Sequence, residues 1–214
     1  MTTLITGANR GIGAALAARM RADGETVIAT SRSGETGARL DVSDPASIRA
    51  LAAEHAETAL DLLVCNAGVY LDRGASLGDG YAPEDWAQTF AVNVTGVFLT
   101  VEAFLPHLER SAAPKIAIIS SQMGSSARAR GNSFIYRASK AAATNLGVNL
   151  ATGLRPKGIA VGIYHPGWVR TEMGGASADI SEAECVDGLM ARFDALSPET
   201  SGAFVTWDGR VHPF

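Results

Sequence analysis

Thr3-Leu4-Ile5-Thr6-Gly7-Ala8-Asn9-Arg10-Gly11-Ile12-Gly13 runs from a β-branched, apolar segment through a glycine-rich turn into a stretch of helical period. Glycine is needed where a backbone turns through positive φ, or where a side chain would obstruct whatever lies against the turn. The helix that follows presents free N–H groups and its positive dipole end to the same point, which suits a phosphate. The spacing is Gly-x-x-x-Gly-x-Gly rather than the commoner Gly-x-Gly-x-x-Gly, and by itself it also describes a plain tight turn. Its place between strand and helix makes it a dinucleotide-binding turn. Gly7, Asn9, Arg10, Gly11, Ile12 and Gly13 are therefore expected to touch a cofactor.

Beyond that turn, short β-rich runs alternate with longer helical patterns. Strands are expected at 3–6, 26–30, 62–66, 115–120, 159–165 and 203–207, mostly as continuous apolar runs suited to burial on both faces. Helical patterns occupy 12–23, 45–57, 83–110, 133–154 and 181–196. Gly24 falls where a helix C-cap belongs, and Asp44 precedes Pro45 as an N-cap precedes proline at the first helical position. The alternation predicts an α/β chain, 1–214, with one domain: a Rossmann-type, doubly wound parallel sheet flanked by helices. The connection between the second and third strands is shortened. Only residues 32–39 separate the second strand from Leu40-Asp41-Val42, whereas a parallel crossover usually takes a dozen or more residues with a helix. Either a helix is missing there, or a short third strand is reached by a bare loop. The adenine side of a cofactor site is then more open than usual.

Composition excludes several function classes. With 214 residues, 47% apolar and 19% charged, the chain is suited to a single globular core. A net charge of -4 gives no basic footprint for nucleic acid or an anionic membrane. No secretory signal is visible, and no apolar run approaches a membrane span. Cys65 and Cys185 are too few for a disulfide framework and lack metal-ligand spacing, so they read as reduced, partly buried thiols of a cytoplasmic protein with no metal site. There is no Gly-x-Ser-x-Gly elbow, and His55, His107, His165 and His212 have no nucleophile context, which argues against a hydrolase. His165 is read as a strand-end residue.

Tyr136 and Lys140 stand four apart in a helical stretch, on one face about one turn apart. Hydride transfer to a carbonyl leaves an alkoxide that needs a proton, and the reverse reaction needs a base. A nearby ammonium is expected to lower the tyrosine pKa from its ordinary value near 10. By chance, such pairs are often only exposed neighbours.

Taken with Asn66-Ala67-Gly68, Asn93-Val94-Thr95-Gly96, Ser120-Ser121, Tyr136-Arg137-Ala138-Ser139-Lys140 and Pro166-Gly167, the glycine turn resembles the short-chain dehydrogenase/reductase family over nearly the whole chain. Arg170-Thr171-Glu172-Met173-Gly174-Gly175 and the tail around Trp207-Asp208-Gly209 resemble its small C-factor/Sniffer-like carbonyl reductase branch. The resemblance implies a catalytic set of Asn93, Ser121, Tyr136 and Lys140. Ser121 would bond the substrate oxygen, with Ser120 as competitor because side-chain alternation lets only one face the site. Asn93 would kink its helix and hold a water against the lysine. Tyr136 and Lys140 would also touch the cofactor. Asp41 and Val42 would meet adenine, Asn66, Ala67 and Gly68 the ribose, and Pro166, Gly167, Val169 and Thr171 the nicotinamide carboxamide.

The second strand ends Ala29-Thr30-Ser31-Arg32 with no acid at its tip. Ser31 can hydrogen-bond a ribose 2′-phosphate and Arg32 can pair with it, and the resemblance places Arg10 on the same side as a second cation, so NADP(H) is expected over NAD(H). The implied activity is reduction of a small or medium carbonyl compound, or oxidation of the matching alcohol. The alternative is a non-catalytic NADP-binding regulator or signalling protein of the same fold. Family relatives place a mobile lid at 171–184. Tyr70, Gln122, Met123, Trp168 and Met173 are equally open to lining the pocket or to ordinary packing. A homodimer through 83–110 and 133–154 is implied, though Ala141-Ala142-Ala143, Gly147 and Ala151 would serve as well to pack that helix inside the monomer.

Overall fold

The computed structural model describes residues 1–78 and 81–214. Its strands are β1 (Thr2–Ile5), β2 (Thr26–Ser31), β3 (Ala38–Arg39), β4 (Leu62–Cys65), β5 (Lys115–Ile119), β6 (Ala160–His165) and β7 (Phe204–Thr206). All pairs are parallel, in the order β3-β2-β1-β4-β5-β6-β7. The chain winds one way from β1 to β3 and the other way from β4 to β7. The switch between β1 and β4 opens a crevice at the carboxyl ends of these strands, which is where ligands of such sheets bind.

The helices are α1 (Gly11–Ala22), α2 (Pro45–Glu54), α3 (Pro83–Phe90), α4 (Gly96–Leu108), α5 (Phe134–Leu154) and α6 (Glu182–Ala195). Strand alternation divides the core between two layers. Along β4, Leu63 and Cys65 pack toward α2, α4 and α5, while Leu62 and Val64 pack toward α1 and α6. Ile116 and Ile118 of β5 join the first layer, Ala117 and Ile119 the second. Each fully buried large aliphatic side chain contributes about 1.5–3 kcal/mol. Both cysteines are free and buried.

Local signals act as expected at two helix ends. The Asp44 carboxylate accepts the Ala46 N–H at 2.8 Å ahead of Pro45, and Gly24 takes a φ of 86° just past the end of α1. Of the two alternatives for the link after β2 the structure takes the second: a short third strand, Ala38–Arg39, just ahead of Leu40-Asp41-Val42, is reached by residues 32–37 without a helix. Gly37 permits that path, because a Cβ there would run into the Ala29 carbonyl oxygen of β2. The expected single helix at 83–110 is interrupted by a π-turn, Ala91–Thr95, between α3 and α4. Finally, Pro83–Leu108 is by length and composition apolar enough to cross a membrane, with mean hydropathy 1.4. Its Val92, Val97, Val101, Phe104 and Leu108 are committed to the core, which accounts for that composition.

Candidate active site

The glycine turn is interlocked with the end of β4. Gly7 has φ 67° and lies so close to Ala67 that a Cβ would come within 2.9 Å of its Cα. A Cβ on Gly13 would collide with the Gly7 carbonyl oxygen and come 2.5 Å from Asn66 Nδ2. Asn66 donates from Nδ2 to the carbonyls of Thr6 (3.0 Å) and Gly7 (2.9 Å), and Thr6 Oγ1 accepts the N–H groups of Asn66 and Ala67, both at 3.0 Å. Asn66 therefore holds the turn in shape instead of reaching outward. Asn9 and Arg10 are exposed, and α1 has no side-chain N-cap. Its first N–H groups, at Gly11 and Ile12, are left for an anion. The cradle fits a pyrophosphate, since the start of α1 has no side-chain cap and Gly13 lets the helix pack close against the turn that aims these amides.

At the tip of β2, Ser31 is buried and its Oγ accepts the Gly34 N–H at 3.1 Å, closing the bare loop, while Arg32 is exposed. Asp41 bonds the N–H and hydroxyl of Ser43 at 2.9 and 2.6 Å. Partial burial works against its charge, but the Ser43 bonds and the guanidinium charges of Arg32 and Arg39 outweigh it and hold the carboxyl below its ordinary value. The structure thus adds Arg39, on the two-residue strand, to the cations near the expected 2′-phosphate. Only the position of β3 could have revealed it. Arg10 points elsewhere, to an ion pair with Glu172 of the stretch after β6. Val42 is buried beside α4, its carbonyl oxygen packed against Gly96.

The catalytic candidates converge. Tyr136 and Lys140 are both buried on α5, with Lys140 Nζ 5.7 Å from the centre of the Tyr136 ring. Nζ donates to the Ile119 carbonyl at 2.9 Å. Burial pushes the ammonium pKa down to about 8. The expected lowering of the tyrosine pKa is not what the structure gives. Burial pushes the phenol up to about 12, with Tyr70 adding to the rise and Ser121 and Arg73 opposing it. A protonated phenol at neutral pH is the form a general acid needs.

Ser121 lies on the phenol's side, where it opposes the rise in the Tyr136 pKa, and its hydroxyl accepts the Met123 N–H at 3.1 Å. Ser120 points the other way, donating to the Lys140 carbonyl and sharing a 2.6 Å hydrogen bond with Thr144. Asn93 occupies the π-turn. Its Oδ1 accepts the Val69 N–H and its Nδ2 donates to the Val69 carbonyl, each at 2.9 Å, and to Ser139 Oγ at 3.0 Å. It thereby fixes the chain after Gly68, whose position lies against both Asn93 Oδ1 and Lys140 Nζ.

The segment after β6 closes the crevice. Gly167 has φ 92°, Val169 is buried and bridges Ile180, and the Thr171 methyl approaches Gly11 of the turn. Residues 168–175 form a strap tied by Trp168 Nε1 to the Gly174 carbonyl (2.9 Å), by Arg10 to Glu172 and by Arg73 to the Met173 carbonyl. His165 ends β6, buried and neutral, its pKa pushed down to about 3 by burial and then by His212 and Arg128. Among the described residues no group of three or more His, Cys, Asp or Glu is placed to hold a metal ion.

Sequence reasoning missed a brace. Asp72, buried after β4, accepts the N–H groups of Ile135 (2.8 Å) and Tyr136 (3.2 Å), and so caps α5 from a distant loop. Ser133, at the usual cap position, is left-handed with φ 51° and instead shares a hydrogen bond with Tyr70. The Tyr70 ring stacks on Tyr136 with centroids 4.3 Å apart. No local pattern marks Asp72, because its partners are more than sixty residues away.

The family model for short chain dehydrogenases matches residues 1–181. C-signal from Myxococcus xanthus is 38% identical over 169 residues, spanning 78% of this chain and 100% of that protein. 1-Hydroxy-2-glutathionyl-2-methyl-3-butene dehydrogenase from Rhodococcus sp. (strain AD45) is 33% identical over 225 residues, spanning 97% of each. Among solved structures, NADPH-bound carbonyl reductase from chicken fatty liver aligns with a TM-score of 0.90 at 32% identity, over 100% of this chain and 98% of that one.

Proposed function

Because this chain belongs to the short-chain dehydrogenase family, we propose that it is an NADPH-dependent carbonyl reductase or alcohol dehydrogenase, acting in the cytoplasm on small or medium carbonyl substrates. The observation that carries this reading is the meeting of the Tyr136 phenol, the Ser121 hydroxyl and the Lys140 ammonium at the crevice beside the glycine cradle. The NADPH-bound avian carbonyl reductase, alike over the whole chain, supports the choice of cofactor and reaction.

In this reading the amides of 11–13 would hold the pyrophosphate, and Ser31, Arg32 and Arg39 the 2′-phosphate. Asp41 and Val42 would border adenine, Ala67 and Gly68 the ribose, and 166–171 the carboxamide. The cofactor supplies the hydride. Tyr136 donates its proton to the carbonyl oxygen as negative charge builds there, and Ser121 bonds the same oxygen. The Lys140 ammonium stabilises the phenolate that remains, and Asn93 keeps the loop at Gly68 and Val69 in place around it. The burial that raises the phenol pKa keeps the proton on Tyr136 until substrate takes it, which favours the reductive direction. The outer face of α4 and α5, with Phe98 exposed and Ala138, Ala141 and Leu146 half-buried, supports a homodimer, whereas Ala143, Gly147 and Ala151 pack inside the monomer.

A panel of aldehydes and ketones with NADPH and NADH, run beside Tyr136→Phe, tests the proposal. Wild-type protein is expected to oxidise NADPH with some of them, and the Phe variant to lose about 100- to 10,000-fold in kcat while still binding NADPH. Tight NADPH binding without turnover across the panel would favour the regulator.

A further inference from the structure

The roof above Tyr136 holds a cation that the proton transfer leaves unused. Arg73 follows Asp72 in the loop after β4, and its guanidinium carbon lies 5.0 Å over the centre of the Tyr70 ring. Tyr70 is itself stacked on Tyr136, so phenol, ring and guanidinium form one column rising from the reacting atoms. One Arg73 N–H donates to the Met173 carbonyl, pinning the cation between this loop and the strap after β6. Its charge is felt at the phenol, where it opposes the rise caused by burial.

A guanidinium carries five N–H donors in a planar fork, matched to a carboxylate. Among the described residues Arg73 has no carboxylate partner, although the neighbouring cations Arg10 and Arg170 are paired with Glu172 and Glu184. The acid beside it, Asp72, is spent on the amides of α5. Arg73 is exposed, and the strap that it reaches carries two exposed apolar side chains, Trp168 and Met173, at the same mouth of the crevice. A cation stacked on an aromatic ring, fixed at one N–H and open at the others, is prepared for an anionic group delivered from the crevice.

We propose that Arg73 is the substrate-recognising cation of this site, and that the preferred substrate is an oxo acid, an aldehyde or ketone whose carboxylate pairs with Arg73 while its carbonyl meets Tyr136 and Ser121. The inference rests on the reductase reading above. Hydride goes to the carbonyl carbon and the Tyr136 proton to its oxygen, so the C=O becomes CH–OH and the carboxylate is unchanged.

The test compares charged and neutral partners of similar shape: 4-formylbenzoate with its methyl ester, and 4-oxopentanoate with its methyl ester. Each is assayed with NADPH on wild-type protein and on Arg73→Gln and Arg73→Lys. Wild-type kcat/KM is expected to favour the acid of at least one pair by about tenfold or more, the scale of a hydrogen bond to a charged group. Arg73→Gln should remove that preference, chiefly through a higher KM for the acid, with kcat/KM for the acid falling at least about fivefold further than that for its ester; Arg73→Lys should restore part of the difference. Ester turnover without preference for either acid overturns the inference and leaves the reductase standing. Equal losses on acid and ester in Arg73→Gln also overturn it, because they mark Arg73 as part of the roof alone. Turnover of neither member of either pair, with NADPH bound, overturns the reductase reading and the inference with it.

Discussion

The wall of the crevice formed by residues 6–13 and 66–68 is closed largely by backbone, whereas the wall formed by 70–73 and 168–175 is closed by long side chains. On the first, Gly7 touches Ala67, Gly13 touches the Gly7 carbonyl, and Asn66 spends its amide on two backbone oxygens. On the second, Tyr70 stacks, Arg10 and Arg73 bridge, and Trp168 bonds across the strap. A wall of backbone admits few substitutions and presents amides, which suits a group common to every turnover. A wall of side chains can be rebuilt residue by residue without moving the fold, so it is where preference for one substrate over another is set.

The largest expected effect tests the rigid wall. In Gly13→Ala the new methyl has no space, and overpacking of this kind costs about 1–3 kcal/mol. NADPH binding should weaken about 10- to 100-fold by fluorescence titration, while Met173→Ala on the opposite wall should leave it within about twofold. Equal effects would erase the distinction. Next, Arg32→Asp is expected to weaken NADPH about 10- to 100-fold and NADH far less, since a charged hydrogen bond to phosphate becomes a repulsion. Equal losses for both cofactors would remove Arg32 from the 2′-phosphate.

A smaller effect is expected at the brace. Asp72→Ala leaves two amides at the start of α5 without their acceptor and should cost about 1–2 kcal/mol. At roughly 2–4 °C per kcal/mol, that is a few degrees in Tm. Asp72→Asn keeps one acceptor oxygen and should recover part of both stability and kcat, with the KM for NADPH unchanged. The smallest effect concerns pH. Lys140 titrates near 8 in the folded chain against an ordinary 10.5, so between those values the unfolded chain binds the extra proton. The stability contributed by this group therefore rises with pH from about 8 to 10.5. Below 8 the cost of the buried charge is felt in full. Any stability gained in Lys140→Met should shrink between pH 7.5 and 10, as read from urea midpoints.

These differences also explain what could be read in advance. The sheet, its helices and the glycine cradle follow local rules of periodicity, capping and close approach, and residues 2–31 keep them nearly to the residue. Ser121 and Ser120 are separated by strand alternation, which is also local. Asp72, Arg39 and the Arg10–Glu172 pair were out of reach, because each gains its meaning from a partner brought close only by the folded chain. The kink at Asn93 was implied by the resemblance, but its form, a π-turn over Ala91–Thr95, was not legible, because an added residue in one turn leaves the apolar pattern of 83–108 almost intact.

The brevity of the outermost strands has a bearing on how the protein behaves in a crowded solution. A sheet whose border exposes a long row of free N–H and C=O groups invites a second molecule to add its own strand. Here one border is β3, two residues long, and the other is β7, three residues long, with Val211 of the returning tail bridged antiparallel to Val205. Neither border offers enough unpaired backbone to seed growth of the sheet from one molecule into the next. The same economy that left out a helix after β2 also gives the protein blunt edges, and with them resistance to end-to-end aggregation.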